Sequence, residues 1–205
     1  MMDKEVSEKM MEACRSLAKM LELSYQGFRM AAEEPIREAE EAGKEVRRRS
    51  SELTNFLISR RMSGQKEREW AKPLLSVASI FDRMSYNLEG IVDRLKGMNR
   101  ERIFFSDRGS KEVNVVFQEA ISLLGSIPDL ILTGNKLLAE HIEDRAKAFF
   151  KKVGEFSEEH EKRLIEGVCV PKSSPIYLGL LESLNAIVAH TLEVSYKIVS
   201  LSSEA

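Results

Sequence analysis

The chain has 205 residues, of which 43% are hydrophobic, and its 31 basic and 33 acidic side chains give a formal net charge of −2. This length fits one domain or two small ones, and the nearly balanced charge excludes a global attraction to nucleic acid or to anionic membranes. The two cysteines, Cys14 and Cys169, are too few for a zinc cage or a disulfide framework, so we interpret them as buried free thiols.

The amino terminus, MMDKEVSEKM, lacks the apolar core of a secretory signal. No uninterrupted apolar run approaches the ~18 residues that span a bilayer. We therefore expect a cytoplasmic protein with no direct membrane insertion.

The first predicted helix runs from Asp3 to about Ala32, because small or apolar residues recur along it at heptad spacing. They are Met10, Ala13, Leu17, Met20, Ser24, Gly27 and Ala31. Pro35, preceded by two glutamates, predicts the start of helix two, since proline has no amide hydrogen to lose there and acids favour the positive end of the helix dipole. The inward residues of helix two are Ile36, Ala39, Gly43, Val46, Ser50, Leu53 and Leu57, and the helix is expected to fray near Ser63.

The strongest apolar pattern lies between residues 73 and 98 and predicts helix three. Two seven-residue series interleave there: Leu74, Phe81, Leu88 and Leu95, with Val77, Met84, Ile91 and Met98. Such spacing forms one narrow apolar seam that faces a bundle interior. The charged segment QKEREWAK precedes it, and we place the body of the helix after Pro73.

The third-helix pattern returns 103 residues later, with Thr191 as the only misfit among its eight positions. The third-helix series become Tyr177, Leu184, Thr191 and Ile198, with Leu180, Ile187, Val194 and Leu201. The first helix becomes Val113, Val116, Ala120, Leu123, Ile127 and Leu130, and the second becomes Ala139, Ile142, Ala146, Phe149, Val153, Phe156 and His160. Pro128 lies inside the fourth helix and predicts a kink or break near residues 126–129.

This periodicity predicts an all-α fold from an internal duplication: two tandem three-helix bundles, with six long antiparallel helices. The first repeat covers 1–100, a linker covers 101–109 and the second repeat covers 110–205.

Two tandem three-helix bundles of this size resemble the PhoU family of phosphate-signalling regulators over nearly the whole chain. The family's third helix carries a Leu-Glu-Arg-Ile-Gly-Asp segment, to which FDRMSY at residues 81–86 is similar; residues 184–189 match it less well. The resemblance implies a cytoplasmic negative regulator, homodimeric, that couples the ATPase or permease of a phosphate transporter to a sensor kinase.

The resemblance also implies metal sites, because PhoU-like proteins hold metal ions with acids four residues apart on the second and third helices. Glu155 and Glu159 keep such a pair, while Glu52 and Asp82 keep one acid each. Non-acidic residues occupy the other motif positions: Phe56, Tyr86, Asn185 and Ala189. The chain thus predicts no certain cofactor: iron or zinc at these acids is one interpretation, and a solvated helix face is the other.

A locally basic segment between residues 44 and 68 is either a solvated face or a docking surface for an acidic partner. The candidate partner contacts are Arg47, Arg48, Arg60 and Arg61. Aromatic residues that could stack on bases are missing around it, which argues against single-stranded nucleic acid. Phe104 and Phe105 either close the joint between the bundles or lie in a protein interface.

His160 falls on the core series, where a hydrogen-bonded interior residue is the first interpretation and a metal ligand the second. No phosphate loop, nucleophile elbow, HExxH or Cys-x-x-Cys pattern is present, so we expect no enzyme. Two alternatives stay open beside a regulator: a bundle that binds iron or zinc through carboxylates, and a structural oligomerisation module. No histidine follows a glutamate at the Glu-x-x-His spacing of ferritin-like carriers, which tells against the first alternative.

Overall fold

The computed structural model describes residues 3–59 and 65–203, and the side chains of 3–59 and 71–202. This part of the chain is helical and contains no strand. The helices are α1 (Lys4–Met30), α2 (Glu33–Ser59), α3 (Gln65–Arg100), α4 (Asp107–Gly125), α5 (Ile127–Thr133), α6 (Lys136–Ile165) and α7 (Ser174–Ser203), with a 3-10 turn at Pro171–Ser173. The expected frayed end near Ser63 lies outside the described residues.

The helix boundaries repeat with the predicted offset. α1 and α2 begin at residues 4 and 33, and α4 and α6 begin at 107 and 136, so both pairs are 103 residues apart. The ends agree as well: Ala31 after α1 (φ 47°) and Gly134 after α5 (φ 59°) are equivalent positions in the left-handed conformation. Glycine adopts this conformation without the steric cost that alanine has. The all-α tandem architecture is therefore confirmed, whereas the bounds of the two repeats as separate domains stay a prediction.

The predicted seams are buried for most of their length, but the prediction is wrong for Ala31, which is exposed, and Phe156 is only half-buried. All seven residues predicted to face inward from α2 are its buried residues. All eight of the two α3 series are buried too. In α7 the series is buried up to Ile198, and Leu201 is half-buried.

One boundary prediction is wrong. α3 begins at Gln65, so QKEREWAK belongs to the helix and Pro73 lies inside it. Proline removes one backbone hydrogen bond within a helix. The long apolar seam that follows outweighs this local cost.

The break near Pro128 is confirmed. α4 ends at Gly125, Ser126 separates the two helices, and Pro128 is the second residue of α5. Because proline has no amide hydrogen, the carbonyl of Leu124 loses its partner four residues on. That carbonyl instead faces the Sγ of Cys14 at 3.8 Å, and burial raises the pKa of the Cys14 thiol to about 12. The break between α4 and α5 thus explains the contact that the buried thiol of Cys14 makes.

The two bundles lie antiparallel and share one apolar core. α1 packs on α2 and α3 within its own repeat and on α4 and α5 of the other, while α3 packs on α7. Antiparallel order follows from the pairs Arg83–Glu193 at 3.2 Å and Arg94–Ser183 at 3.4 Å. The buried residues of both repeats belong to a single cluster. α2 and α6 are left on the outside.

Residues 107–133 are long and apolar enough to cross a membrane by length and composition. In the structure they are α4 and α5, broken at Ser126, with buried residues packed against α1 and α7. Core helices of soluble proteins can be equally long and apolar.

Candidate functional site

One end of the molecule brings together the connections between helices of both repeats. Phe105, just before α4, packs its ring 5.9 Å from that of Phe28 and 5.7 Å from that of Tyr177. Phe104 points away and is 67% exposed. Phe105 therefore closes the joint between the bundles, as the first of the two predicted alternatives has it. Phe104 lies on the surface, as the second alternative requires.

A cavity of about 210 Å³, which we call the joint pocket, opens beside Phe105. Its lining comes from the α3–α4 connection, the end of α6, the following loop and the start of α7. The lining residues are Phe104, Phe105, Ser106, Gly109, His160, Val168, Cys169, Val170, Ser173 and Tyr177. The pocket is mainly apolar, with one imidazole and one thiol in its wall.

A buried ion pair lies beneath the joint pocket. Glu112 of α4 is 6% exposed and accepts two hydrogen bonds from the guanidinium of Arg163, at 3.0 and 2.8 Å. Tyr177 donates its hydroxyl to the same carboxylate at 2.6 Å, and Arg108 adds a bond at 3.0 Å. These four residues, the Glu112 cluster, join α4, α6 and α7. Buried charges need such pairing, because an unpaired charge is costly in the interior.

Two members of the Glu112 cluster, Arg163 and Tyr177, have shifted pKa values. Burial works against the charged guanidinium, but hydrogen bonds to Glu112 outweigh it and raise the pKa of Arg163. Burial, together with the carboxylate, raises the pKa of Tyr177, so its hydroxyl keeps its proton and remains a donor. The cluster joins three helices through one buried ion pair and one buried hydroxyl.

His160 is 3% exposed and is held on three sides. Its Nε2 lies 2.9 Å from Ser174 Oγ, its ring stacks on Tyr177 with centroids 4.3 Å apart, and its Nδ1 lies 3.9 Å from Cys169 Sγ. The prediction of a hydrogen-bonded interior histidine is confirmed. Cys169 is only half-buried, so the interpretation of both cysteines as buried is right for Cys14 and wrong for Cys169.

Burial of His160 makes stability depend on pH. Burial, with the nearby Arg163, lowers the pKa of His160 from its ordinary 6.5, against weaker opposing effects of Glu112 and Glu161. Between the folded-state pKa and 6.5, the unfolded chain binds more protons at His160 than the folded chain does. The free energy of unfolding therefore falls as pH decreases below 6.5, and it levels off below the folded-state pKa. Urea unfolding from pH 7.5 downwards should show a smaller slope for His160→Leu; an unchanged slope would contradict this.

Three of the four predicted metal acids, Glu52, Glu155 and Glu159, lie in ion pairs. Glu155 pairs with Lys151 at 3.7 Å, and Glu159 pairs with Lys162 at 3.0 Å and with Arg108. Glu52 pairs with Arg48, and Asp82 is half-buried on α3. Among the side chains that the structure describes, in 3–59 and 71–202, no group of three His, Cys, Asp or Glu residues is placed to hold a metal ion. Iron or zinc at these acids stays a prediction.

The predicted basic surface is largely balanced by carboxylates. Arg47 pairs with Glu89 of α3, and Arg48 pairs with Glu45 at 2.6 Å. Hydrogen bonds from Arg48 and Arg49 lower the pKa of Glu45 to about 2. The other two candidate contacts, Arg60 and Arg61, lie outside the described residues.

The sequence analysis missed most of the Glu112 cluster, although a signal was present. His160 and Tyr177 occupy core positions, and buried polar side chains require partners. The equivalent residues of the first repeat are Leu57, Ala71 (for Ser174) and Leu74, all 0% exposed. Polar groups at one end of one repeat, against apolar groups in the other, mark the place where the copies have diverged.

No protein-family model matches the sequence, and no curated protein does. Among solved structures the chain is similar to the phosphate transport system regulatory protein PhoU from Streptococcus pneumoniae, with a TM-score of 0.84, 11% identity, and 98% of this chain and 95% of that chain covered. It is similar to PhoU from Pseudomonas aeruginosa, with a TM-score of 0.73, 14% identity and 98% and 97% covered. The chain is also similar to a putative PhoU-like phosphate regulatory protein from Shewanella oneidensis MR-1. The TM-score is 0.60 and the identity 11%, with 98% of this chain and 100% of that chain covered.

The architecture is a tandem three-helix bundle whose repeats share a core. It is the PhoU fold, and the fold predicted from the repeat and from FDRMSY is confirmed.

Proposed function

We propose that this protein is a PhoU-like cytoplasmic regulator of phosphate transport or phosphate signalling that acts by binding other proteins and catalyses no reaction. The observation that carries the proposal is the likeness to PhoU over 98% of the chain, with a TM-score of 0.84. The partners proposed are the ATPase or permease of a phosphate transporter, or a sensor kinase. A homodimer is part of the proposal and can be measured by sedimentation.

The surface proposed for partner contact is the edge of the joint pocket. Three exposed apolar side chains line it, Phe104 (67%), Val168 (67%) and Val170 (63%), and Ile165 (87%), the last residue of α6, precedes Val168 by three positions. We call these four the apolar rim. Large exposed apolar side chains grouped near one cavity are typical of an interaction site. The apolar rim fits this role better than Arg47 and Arg48, whose charges are already paired within the chain.

The test uses the purified full-length chain and the purified cytoplasmic components of the phosphate transporter and sensor kinase from the same genome. We expect at least one of them to bind, and the double variant Ile165→Asp/Val168→Asp to weaken that binding about 10-fold or more, because charges in an apolar contact are costly to desolvate. Calorimetric titration measures both.

A matched control lies at the other end of α6. Leu132 and Leu137 are 70% and 73% exposed, and the α6 axis places them roughly 40 Å from the apolar rim. Leu132→Asp/Leu137→Asp should bind like the parent chain. Equal losses in both double variants would contradict the apolar rim, and no binding to any component would contradict the regulatory function.

A further inference from the structure

A thiol and an imidazole face each other in the wall of the joint pocket. Cys169 Sγ lies 3.9 Å from His160 Nδ1, and both residues line the cavity. Cys169 is half-buried, and its side chain also accepts a hydrogen bond from the guanidinium of Arg163. His160 is almost fully buried.

The imidazole is oriented by a second set of contacts. With hydrogen on Nε2, His160 donates to Ser174 Oγ at 2.9 Å, and its Nδ1 lone pair is directed at Cys169. Stacking on Tyr177, itself held by Glu112, fixes the plane of the ring. Histidines that bind metals usually have such a partner on the second nitrogen, which sets the tautomer and the direction of the ligating one.

We propose that Cys169 and His160 form a binding site for a thiophilic d¹⁰ metal ion, Cu(I) or Zn(II), with its remaining positions open to the joint pocket. Thiolate and imidazole are the ligand pair that these ions prefer over carboxylate-binding ions. On binding, the Cys169 thiol loses its proton to solvent and its sulfur bonds to the ion, while neutral His160 gives its Nδ1 lone pair.

The separation of the two atoms suits such an ion. With a Zn–S length of about 2.3 Å and a Zn–N length of about 2.0 Å, the observed 3.9 Å corresponds to an S–metal–N angle of roughly 130°. This lies between tetrahedral and linear, as expected for a low-coordinate ion. The cavity of about 210 Å³ has room for exogenous ligands such as water, which occupies about 30 Å³ per molecule.

The site is independent of the proposed regulatory function and uses none of the acids at the PhoU-like motif positions. Its donors belong to the second repeat alone, since the position equivalent to His160 is the buried Leu57. The repeat therefore supplies a natural substitution, His160→Leu, that removes the imidazole while placing an apolar residue where the fold already accepts one.

The experiment titrates the full chain anaerobically with Cu(I), and separately with Zn(II), against a chromophoric chelator of each metal. We expect one equivalent bound for at least one of the two ions, lost in Cys169→Ser and weakened about 10-fold or more in His160→Leu. Ser174→Ala, which removes only the orienting contact, should weaken binding about 10-fold. Bound metal should also protect Cys169 from alkylation, read by mass spectrometry of the peptide.

Cys14→Ser is the matched control, because Cys14 is fully buried and should neither bind metal nor be alkylated in the folded chain. Circular dichroism confirms that each variant is folded before titration. Binding that persists in Cys169→Ser, or that is unchanged in His160→Leu, would overturn the proposal. So would the absence of saturable binding of either ion to the parent chain.

Discussion

Replacing Glu112 by alanine should lower the free energy of unfolding by about 3–5 kcal/mol, because it leaves the buried guanidinium of Arg163 without its carboxylate. Arg163 is 8% exposed, and both of its terminal nitrogens bind Glu112. Tyr177 would lose its hydrogen-bond acceptor in the same change. Urea unfolding followed by far-ultraviolet circular dichroism measures the loss.

Two comparisons separate the buried pair from glutamate loss in general. Glu155→Ala removes an exposed ion pair with Lys151 and should change stability by less than about 0.5 kcal/mol. The double variant Glu112→Leu/Arg163→Met should recover much of the stability lost in Glu112→Ala, since apolar replacement of a whole buried pair is often neutral. A cost below about 1 kcal/mol for Glu112→Ala would mean that water reaches the cluster.

Phe117→Ala should cost about 3–5 kcal/mol and should destabilise both repeats together. Phe117 of the second repeat is fully buried and stacks on Tyr25 and Phe28 of the first, with ring centroids 5.3 and 5.8 Å apart. Because both repeats share one core, we expect a single unfolding transition in the parent and in the variant.

Two probes test whether that transition is shared. Circular dichroism reports on all helices, whereas fluorescence reports on the single tryptophan, Trp70, in the first repeat. Coincident curves are expected, with both midpoints lowered by Phe117→Ala. Tyr86→Ala, at a side chain that is 71% exposed, is the control and should change stability by less than about 0.5 kcal/mol. Separated transitions would show that the repeats unfold as independent domains.

The helix seams were predictable because burial on a long helix follows a period that the sequence displays directly. All inward residues of α2, both series of α3 and the break near Pro128 came from spacing and from the chemistry of proline. The start of α3 did not, since a charged segment with a proline shortly after it is also typical of a loop. Only tertiary packing of the following seam decides that it is helical.

The candidate site was harder to predict because its contacts join residues far apart in the chain. Glu112 precedes a buried valine on α4, and nothing local indicates that Arg163, 51 positions later, covers it. Pairs within one helix, such as Arg48 with Glu45, follow from i, i+3 spacing, but Arg47 with Glu89 does not. His160 was identified because it interrupts an apolar series; its neighbours Ser174 and Cys169 carried no such mark.

Two antiparallel copies of one repeat give a protein two nearly equivalent ends. A binding partner would then find two equivalent sites, one at each end. The substitution of Leu57, Ala71 and Leu74 by His160, Ser174 and Tyr177 removes that degeneracy. Only one end of the molecule then has polar side chains in its pocket. A partner that binds at that end binds in one orientation, with one partner per chain, even though the two repeats are related by nearly twofold symmetry.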